Sequence, residues 1–180
     1  EWNGKMKKIF LMFLLSITIF ANWKVENNTA YVTSNNCTFK YQTIGDPMLS
    51  GFTLIIPANG HQKEVMRANQ SNLYIYIADT KDPDNGVGIG SASKNSFDDI
   101  FSLVSWNTTI NGIEASFQES SPYFKDVDKI LKKSSSILIE IFSYSETTEN
   151  SEDFYSSSFS SIGYTKAKQT AEKNARVMFK

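Results

Sequence analysis

The segment Ser105–Gln118 constrains the fold of this chain more than any other, because its turn residues and its side-chain alternation agree. Asn111-Gly112 separates two runs in which apolar and polar residues alternate, and this dipeptide favours a two-residue hairpin turn. Counting outward from that turn gives the facing pairs Ile110 with Ile113, Thr108 with Ala115, and Trp106 with Phe117. The segment is therefore predicted to be an antiparallel hairpin with one buried face and one solvated face.

Other parts of the chain carry the same period of two. Asn27-Asn28 is predicted to turn a hairpin that sets Val25 against Ala30 and Trp23 against Val32. The turn formers Gly45-Asp46-Pro47, Asn59-Gly60 and Asp82–Gly86 separate most of the further predicted strands, and Glu146–Asp153 is predicted to be an exposed loop. These strands are Thr38–Ile44, Phe52–Pro57, Leu73–Ala78, Ile137–Tyr144 and Phe154–Ile162.

Two segments, and a third shorter one, have the period of a helix instead. Ser121 and Pro122 favour a helix start, and an apolar stripe follows until Lys132-Lys133. A last helix is predicted from Tyr164, with alanines along one side, and a short one from Phe97 to about Val104. The fold class is therefore predicted to be mainly β, an antiparallel β-sandwich-like domain with two or three helices including a C-terminal helix.

Residues 6–21 have the pattern of an export signal. Lys7 and Lys8 are followed by the apolar run Ile9–Phe20 and then by Ala21, a small residue suited to cleavage. The run is shorter than the roughly 20 apolar residues that span a bilayer, so no stable membrane anchor is expected after cleavage. Residues 1–5 lie upstream of this signal. Residues 22–180 are predicted to form a single β-rich globular domain that is periplasmic or secreted.

Charge and cysteine content limit the partners of this domain. Removing residues 1–21 takes three lysines and one glutamate from the 18 basic and 19 acidic residues, which leaves 15 basic and 18 acidic ones. Such a weakly acidic chain is not expected to bind nucleic acid. Cys37 is the only cysteine. It is interpreted either as a small buried apolar side chain or as half of an intermolecular disulfide.

The residues needed for catalysis or for a cofactor are scarce. His61 is the only histidine, in a turn-like context, and no motif joins it to a nucleophile or to a zinc ligand set. Acidic pairs such as Asp98-Asp99, or Asp126 with Asp128, lie on predicted helices whose polar faces explain them without catalysis. We therefore expect no enzyme, no catalytic residues and no cofactor.

Two groups of residues are candidates for binding. Tyr74 and Tyr76 alternate with apolar residues, so one face of a strand is predicted to present a tyrosine pair to a protein or glycan partner. The alternative is that another layer of the fold covers these rings. Asp79, Asp82 and Asp84 precede Asn85-Gly86 and form a weak calcium candidate, although their spacing differs from that of an EF-hand loop.

The last third of the chain resembles a known family. Asp126–Tyr144 (DVDKILKKSSSILIEIFSY) and Phe154–Ala167 (FYSSSFSSIGYTKA) are similar to the ending of the invasion-associated locus B proteins of Gram-negative bacteria. In that family a Gly-aromatic step leads into a terminal helix, and Ser161–Tyr164 occupies that step here. The family generally carries paired cysteines, whereas Cys37 is alone here. The resemblance implies an exported β-sandwich-like domain that interacts with the envelope or a host surface, and it provides no catalytic residue.

These observations predict an exported noncatalytic binding protein of the bacterial envelope, with a protein or glycan partner in the envelope or on a host surface. One alternative is a periplasmic inhibitor or immunity protein against an envelope-targeting toxin or lysozyme. The other is a glycan-acting hydrolase with dispersed carboxylates.

Overall fold

A computed structural model describes residues 22–46, 49–68, 73–90, 104–110, 112–145 and 150–178. Within these ranges the chain forms two antiparallel sheets and three helices, which confirms the predicted β-sandwich-like class. The strands are β1 Lys24–Glu26, β2 Thr29–Ser34, β3 Cys37–Gln42, β4 Gly51–Ile56, β5 Leu73–Asp79, β6 Asp82–Gly90, β7 Ser105–Thr109, β8 Gly112–Gln118, β9 Ser136–Ser145 and β10 Asn150–Ser160. The helices are α1 Gly60–Ala68, α2 Phe124–Lys133 and α3 Tyr164–Met178.

The first sheet has six strands in the order β1-β2-β3-β4-β8-β7. The hairpin predicted at Asn27-Asn28 is confirmed, because Val25 pairs with Ala30 and Asn27 has a φ of 52°. Asn35 and Asn36 also have positive φ values and connect β2 to β3. Asparagine tolerates this left-handed region better than most residues, so both hairpins use asparagine for their turns.

The hairpin β7-β8 was predicted at the correct position in the sequence but in the wrong register. Thr109 pairs with Gly112 and Trp106 pairs with Ala115, so the pairing is shifted by two residues. The shift keeps each side chain on its predicted face, but Ile110 lies beyond the pairing and is 93% exposed. Asn111 itself lies outside the described residues.

Gly112 explains this shift. Its φ is +150°, and a Cβ atom there would overlap the carbonyl oxygen of Ile56 on the neighbouring strand β4. Close approach of β4 to the start of β8 therefore requires glycine as a strand residue, not as a turn residue.

The second sheet has four strands in the order β10-β9-β5-β6. Two boundaries differ from the predictions. The residues Asp82–Gly86, predicted as a turn, begin β6, because the tight connection is at Thr80-Lys81 and Asp79 pairs with Asp82. The strand β10 begins at Asn150, so half of the predicted loop Glu146–Asp153 pairs with β9. A register shift at Phe154 marks a β-bulge within that strand.

The helix α1 was not predicted, although the sequence carries its start signal. Asn59 Oδ1 accepts a hydrogen bond from the Gln62 amide, and Gln62 Oε1 accepts one from the Asn59 amide, at 2.9 and 3.0 Å. This reciprocal pair is a capping box. The predicted helices from Pro122 and Tyr164 are confirmed as α2 and α3, although α2 begins at Phe124, two residues after the predicted Pro122. Most of the third predicted helix, Phe97–Val104, lies outside the described residues, as does the signal at 6–21.

The core lies between the sheets and beneath the two later helices, and it is rich in aromatic rings. Phe52 is fully buried and stacks on Phe124 of α2 with ring centroids 4.8 Å apart. Trp23 packs edge-on against Tyr164 at 4.9 Å and donates its Nε1 hydrogen to the Ser160 carbonyl at 2.8 Å. Cys37 is 2% exposed, as expected for a small apolar core residue.

Among the described helices, none combines the length and the apolar character that crossing a bilayer would require.

Candidate functional site

The predicted tyrosine pair lies on the outer face of the four-stranded sheet. Tyr74 and Tyr76 are partly exposed, while Leu73, Ile75 and Ile77 point inward and are buried. Across the sheet, Tyr74 pairs with Phe142 and Tyr76 with Glu140, and Glu140 in turn pairs with Ser156 of β10. We call the surface formed by these five outward residues the tyrosine face; its members are Tyr74, Tyr76, Glu140, Phe142 and Ser156.

The rings of the tyrosine face rest on glycines of the edge strand β6. A Cβ atom at Gly90 would lie 2.9 Å from Tyr74 Cε1, and one at Gly86 would lie 2.6 Å from the Tyr76 hydroxyl oxygen. Only glycine therefore lets both rings lie this close to the backbone of β6. Covering an edge strand with aromatic rings also stabilises the sheet, so packing alone gives these residues one role.

Hydrogen bonds hold Tyr76 in one position. Its hydroxyl donates to the Pro83 carbonyl oxygen at 2.8 Å and accepts from the Gly86 amide at 2.7 Å. The Tyr74 ring is nearly parallel to that of Phe142, with an interplanar angle of 14° and centroids 5.6 Å apart. Beside the rings, Ser156 Oγ donates to Glu140 Oε1 at 3.3 Å. The face therefore combines fixed aromatic surfaces with an adjacent hydroxyl and carboxylate.

Two of the three aspartates in the calcium candidate accept hydrogen bonds from protein donors. Asp79 accepts hydrogen bonds from the Lys81 amide at 2.9 Å and from Ser134 Oγ at 2.8 Å, and these bonds hold the pKa of its carboxyl below the usual value. Asp82 instead accepts from Asn85 Nδ2 at 3.0 Å. In the part of the chain that the structure describes, no three Asp, Glu, His or Cys side chains, including Asp84, converge as metal ligands.

The other titratable residues singled out in the sequence are separated from one another. His61 is exposed in the first turn of α1, so the predicted turn context was wrong. Asp126 is exposed on α2, whereas Asp128 is partly buried in contact with α3. The pair Asp98-Asp99 lies outside the described residues.

A polar cavity that the sequence did not predict lies where the end of β3 meets α3. Its volume is about 180 Å³, and the residues that line it are Tyr41, Thr43, Gly45, Ser50, Glu119, Glu172 and Arg176. The Tyr41 hydroxyl lies 3.2 Å from Glu119 Oε2 and 3.5 Å from Glu172 Oε1. Burial, followed by the charge of Glu119, raises the pKa of Tyr41 above its usual range, so the phenol stays protonated.

Behind this cavity, a partly buried ion pair joins the helices α2 and α3. Lys168 Nζ lies 3.0 Å from Asp128 Oδ1 and stands over the rings of Tyr41 and Phe124, at 5.0 and 4.8 Å from their centroids. Tyr164 donates its hydroxyl hydrogen to the same Asp128 oxygen at 2.6 Å. Burial raises the pKa of Asp128, but hydrogen bonds from Lys132, Tyr164 and Lys168 outweigh it, and the net shift is downward.

No protein-family model matches this chain, and comparisons with curated proteins and with solved structures give no match either. The resemblance of the last third to the invasion-associated locus B proteins therefore stays a prediction.

Proposed function

We propose that this chain is an exported, noncatalytic binding protein of the bacterial envelope, and that it binds a glycan through the tyrosine face. The leader pattern at residues 6–21 supports export. The single observation that carries the binding proposal is that Tyr74 and Tyr76 are partly exposed, side by side and fixed against β6.

The chemistry of the tyrosine face suits a sugar ring. One side of a pyranose presents C–H groups, which carry slight positive charge and pack on the electron-rich face of an aromatic ring. The sugar hydroxyls need nearby polar partners, and the Glu140 carboxylate and Ser156 hydroxyl are placed to supply them. Because Tyr76 is already held by two hydrogen bonds, binding would cost little additional side-chain entropy.

The direct test is an array of immobilised bacterial and host oligosaccharides, probed with the protein from residue 22 onward. Binding confined to bacterial sugars would assign an envelope role, and binding to host sugars a host-surface role. Tyr74→Ala should weaken binding about fivefold, since one aromatic contact contributes about 1 kcal/mol. Tyr74→Phe keeps the ring and should bind like the parent protein.

Tyr31→Ala is the matched control, because Tyr31 is a partly exposed tyrosine on the other sheet. It should leave glycan binding unchanged. An array without signal contradicts the glycan proposal, and inhibition of lysozyme by the same preparation would then favour the inhibitor alternative. Shortened sugars detected by mass spectrometry after incubation would contradict the noncatalytic role.

Export is tested separately by expressing the chain from its Met6 start in a Gram-negative host. The protein recovered from the periplasm or medium should begin at Asn22 by mass spectrometry. A full-length chain confined to the cytosol would refute export without affecting the glycan proposal.

A further inference from the structure

We propose that the polar cavity between the end of β3 and α3 binds a small zwitterion, a molecule that carries an ammonium and a carboxylate a few bonds apart, as an α-amino acid does. This inference is independent of the tyrosine face. It follows from the opposite charges that line one small cavity of about 180 Å³.

One side of the cavity is suited to an ammonium group. Glu119 and Glu172 both lie within hydrogen-bond distance of the Tyr41 hydroxyl, which has a single hydrogen to donate. At any moment at least one of the two carboxylates therefore lacks that hydrogen bond. Glu172 also has Lys168 Nζ at 3.9 Å, which is at the limit of an ion pair, so acceptor capacity remains for the three donors of an ammonium.

Arg176, on the same face of α3 as Glu172, is suited to a carboxylate. Arg176 lines the cavity one helical turn after Glu172. Among the described residues its guanidinium takes part in no ion pair, because every salt bridge found there involves Lys132 or Lys168. A guanidinium binds a carboxylate through two parallel hydrogen bonds, and this geometry makes arginine a preferred partner for that group.

The uncharged part of the lining is held in place by hydrogen bonds and ring packing. The Ser50 hydroxyl lies 2.8 Å from Thr43 Oγ1 and 2.7 Å from the Asp46 carbonyl oxygen, and the Gly45 amide donates to Thr43 Oγ1 at 3.1 Å. Tyr41 is 1% exposed and packed against Phe52 and Phe124. A preformed wall lowers the entropic cost of binding a small molecule.

Simpler ligands fit this lining less well. An anion would meet Glu119 and Glu172, and a cation without a carboxylate would leave Arg176 uncompensated. In the described part of the chain, no third metal-ligating side chain joins the two glutamates. The volume is also below the roughly 300 Å³ at which sites for drug-sized ligands begin, so the ligand has to be small.

The test is NMR titration of the protein from residue 22 onward with glycine, L-alanine and D-alanine. Ethylamine and propionate serve as probes that carry only one of the two charges. Saturable shifts of Glu119, Ser50 and Arg176 amides are expected with the amino acids, and binding of either single-charge probe should be at least about tenfold weaker.

Two substitutions assign the two ends of the ligand. Glu119→Gln should weaken amino-acid binding about tenfold, and so should Arg176→Gln. The control Lys173→Gln changes an exposed charge on the same helix that does not line the cavity, and it should have no effect. Parent-like melting temperatures of the variants would exclude loss of the fold as the cause.

The proposal is overturned if no amino acid gives saturable shifts up to about 10 mM. It is also overturned if ethylamine binds as tightly as alanine, or if Arg176→Gln binds alanine like the parent. Tyr74→Ala should bind alanine normally, so failure of the glycan proposal and failure of this one are distinguishable.

Discussion

Replacing Asp128 with asparagine should destabilise the protein strongly, because three donors converge on its carboxylate. Lys132, Tyr164 and Lys168 all bind this carboxylate, whose side chain is 14% exposed. The asparagine side chain has one oxygen and no charge, so it cannot satisfy all three. The Lys168 side chain is 11% exposed and would be left as an almost buried cation with only Glu172, at 3.9 Å, as a counterion.

The magnitude follows from this burial. Removing one partner of a buried ion pair lowers the free energy of unfolding by about 3–5 kcal/mol. Because Asp128 and Lys168 are partly exposed, the cost of Asp128→Asn should lie at the low end, about 3 kcal/mol. Lys168→Met removes the charge but keeps an unbranched apolar chain between the rings of Tyr41 and Phe124. The double variant should therefore be more stable than Asp128→Asn alone by about 1 kcal/mol or more.

Urea unfolding followed by circular dichroism measures these differences in the free energy of unfolding. Asp126→Asn is the matched control, because Asp126 lies on the same helix and is exposed; its cost should stay below about 1 kcal/mol. If Asp128→Asn costs no more than Asp126→Asn, the ion pair does not stabilise the packing of α2 against α3. If the double variant is less stable than Asp128→Asn, the stranded-charge explanation is wrong.

The pH dependence of the same quantity tests the pKa of Asp128. Its pKa is lower in the folded protein than its ordinary value of 3.8, so its contribution is complete above that value and is lost as the pH falls through the lower folded pKa. The parent should therefore lose stability in acid more steeply than Asp128→Asn. Asp79 also has a lowered pKa, so part of the acid sensitivity should remain in the variant. Equal slopes below pH 4 would contradict a lowered pKa for Asp128.

Two further predictions concern the backbone. Gly112→Ala should lower the free energy of unfolding in urea by more than about 2 kcal/mol, because the new Cβ would overlap the Ile56 carbonyl. The control is Gly60→Ala, whose new Cβ would have no atom within 4 Å, and it should be neutral or stabilising. Asn59→Ala removes the acceptor for the Gln62 amide in the first turn of α1 and should cost about 1 kcal/mol in the same assay. Gln62→Ala keeps that cap and removes only the acceptor for the Asn59 amide, which lies outside the helix, so it should cost less. Equal stability of Asn59→Ala and the parent would refute the cap.

The sequence predicted a strand pair correctly where its turn residues and its apolar–polar alternation indicated the same pairing. The Asn27-Asn28 hairpin was predicted in its correct register because the turn residues and the apolar alternation specify the same pairing. At Asn111-Gly112 the same reasoning failed by two residues. The position of Gly112 is determined by β4, which is more than fifty residues away in sequence, and a local turn rule contains no information about that neighbour.

The helix α1 was missed for a different reason. Asn59-Gly60 was interpreted as a turn, although Asn59 and Gln62 have the spacing of a capping box. The helix is short, and its apolar stripe consists mainly of Val65 and Met66, so the helical period was weak. A search for start signals before periodicity would have found it.

Of the two candidate sites, the tyrosine face could be predicted in part from the sequence, and the polar cavity could not. Tyr74 and Tyr76 could be predicted as an outward pair because strand alternation is local, but the glycines that support their rings became apparent only with the pairing of β5 and β6. The cavity could not be predicted. Tyr41, Glu119 and Glu172 come from three separate parts of the chain, and only the packing of α3 against the six-stranded sheet brings their oxygen atoms together.

The hydrogen bond from Trp23 to Ser160 also bears on the order in which the protein can fold. The two residues are 137 positions apart, so Trp23, which directly precedes the first strand, can make this bond only after the end of the last strand has formed. A polypeptide that leaves the ribosome amino end first therefore cannot complete the contacts around the β1-β2 hairpin until nearly the whole chain has been made. If the chain is exported as proposed, late closure lengthens the time during which it stays unfolded enough to pass through a translocation pore.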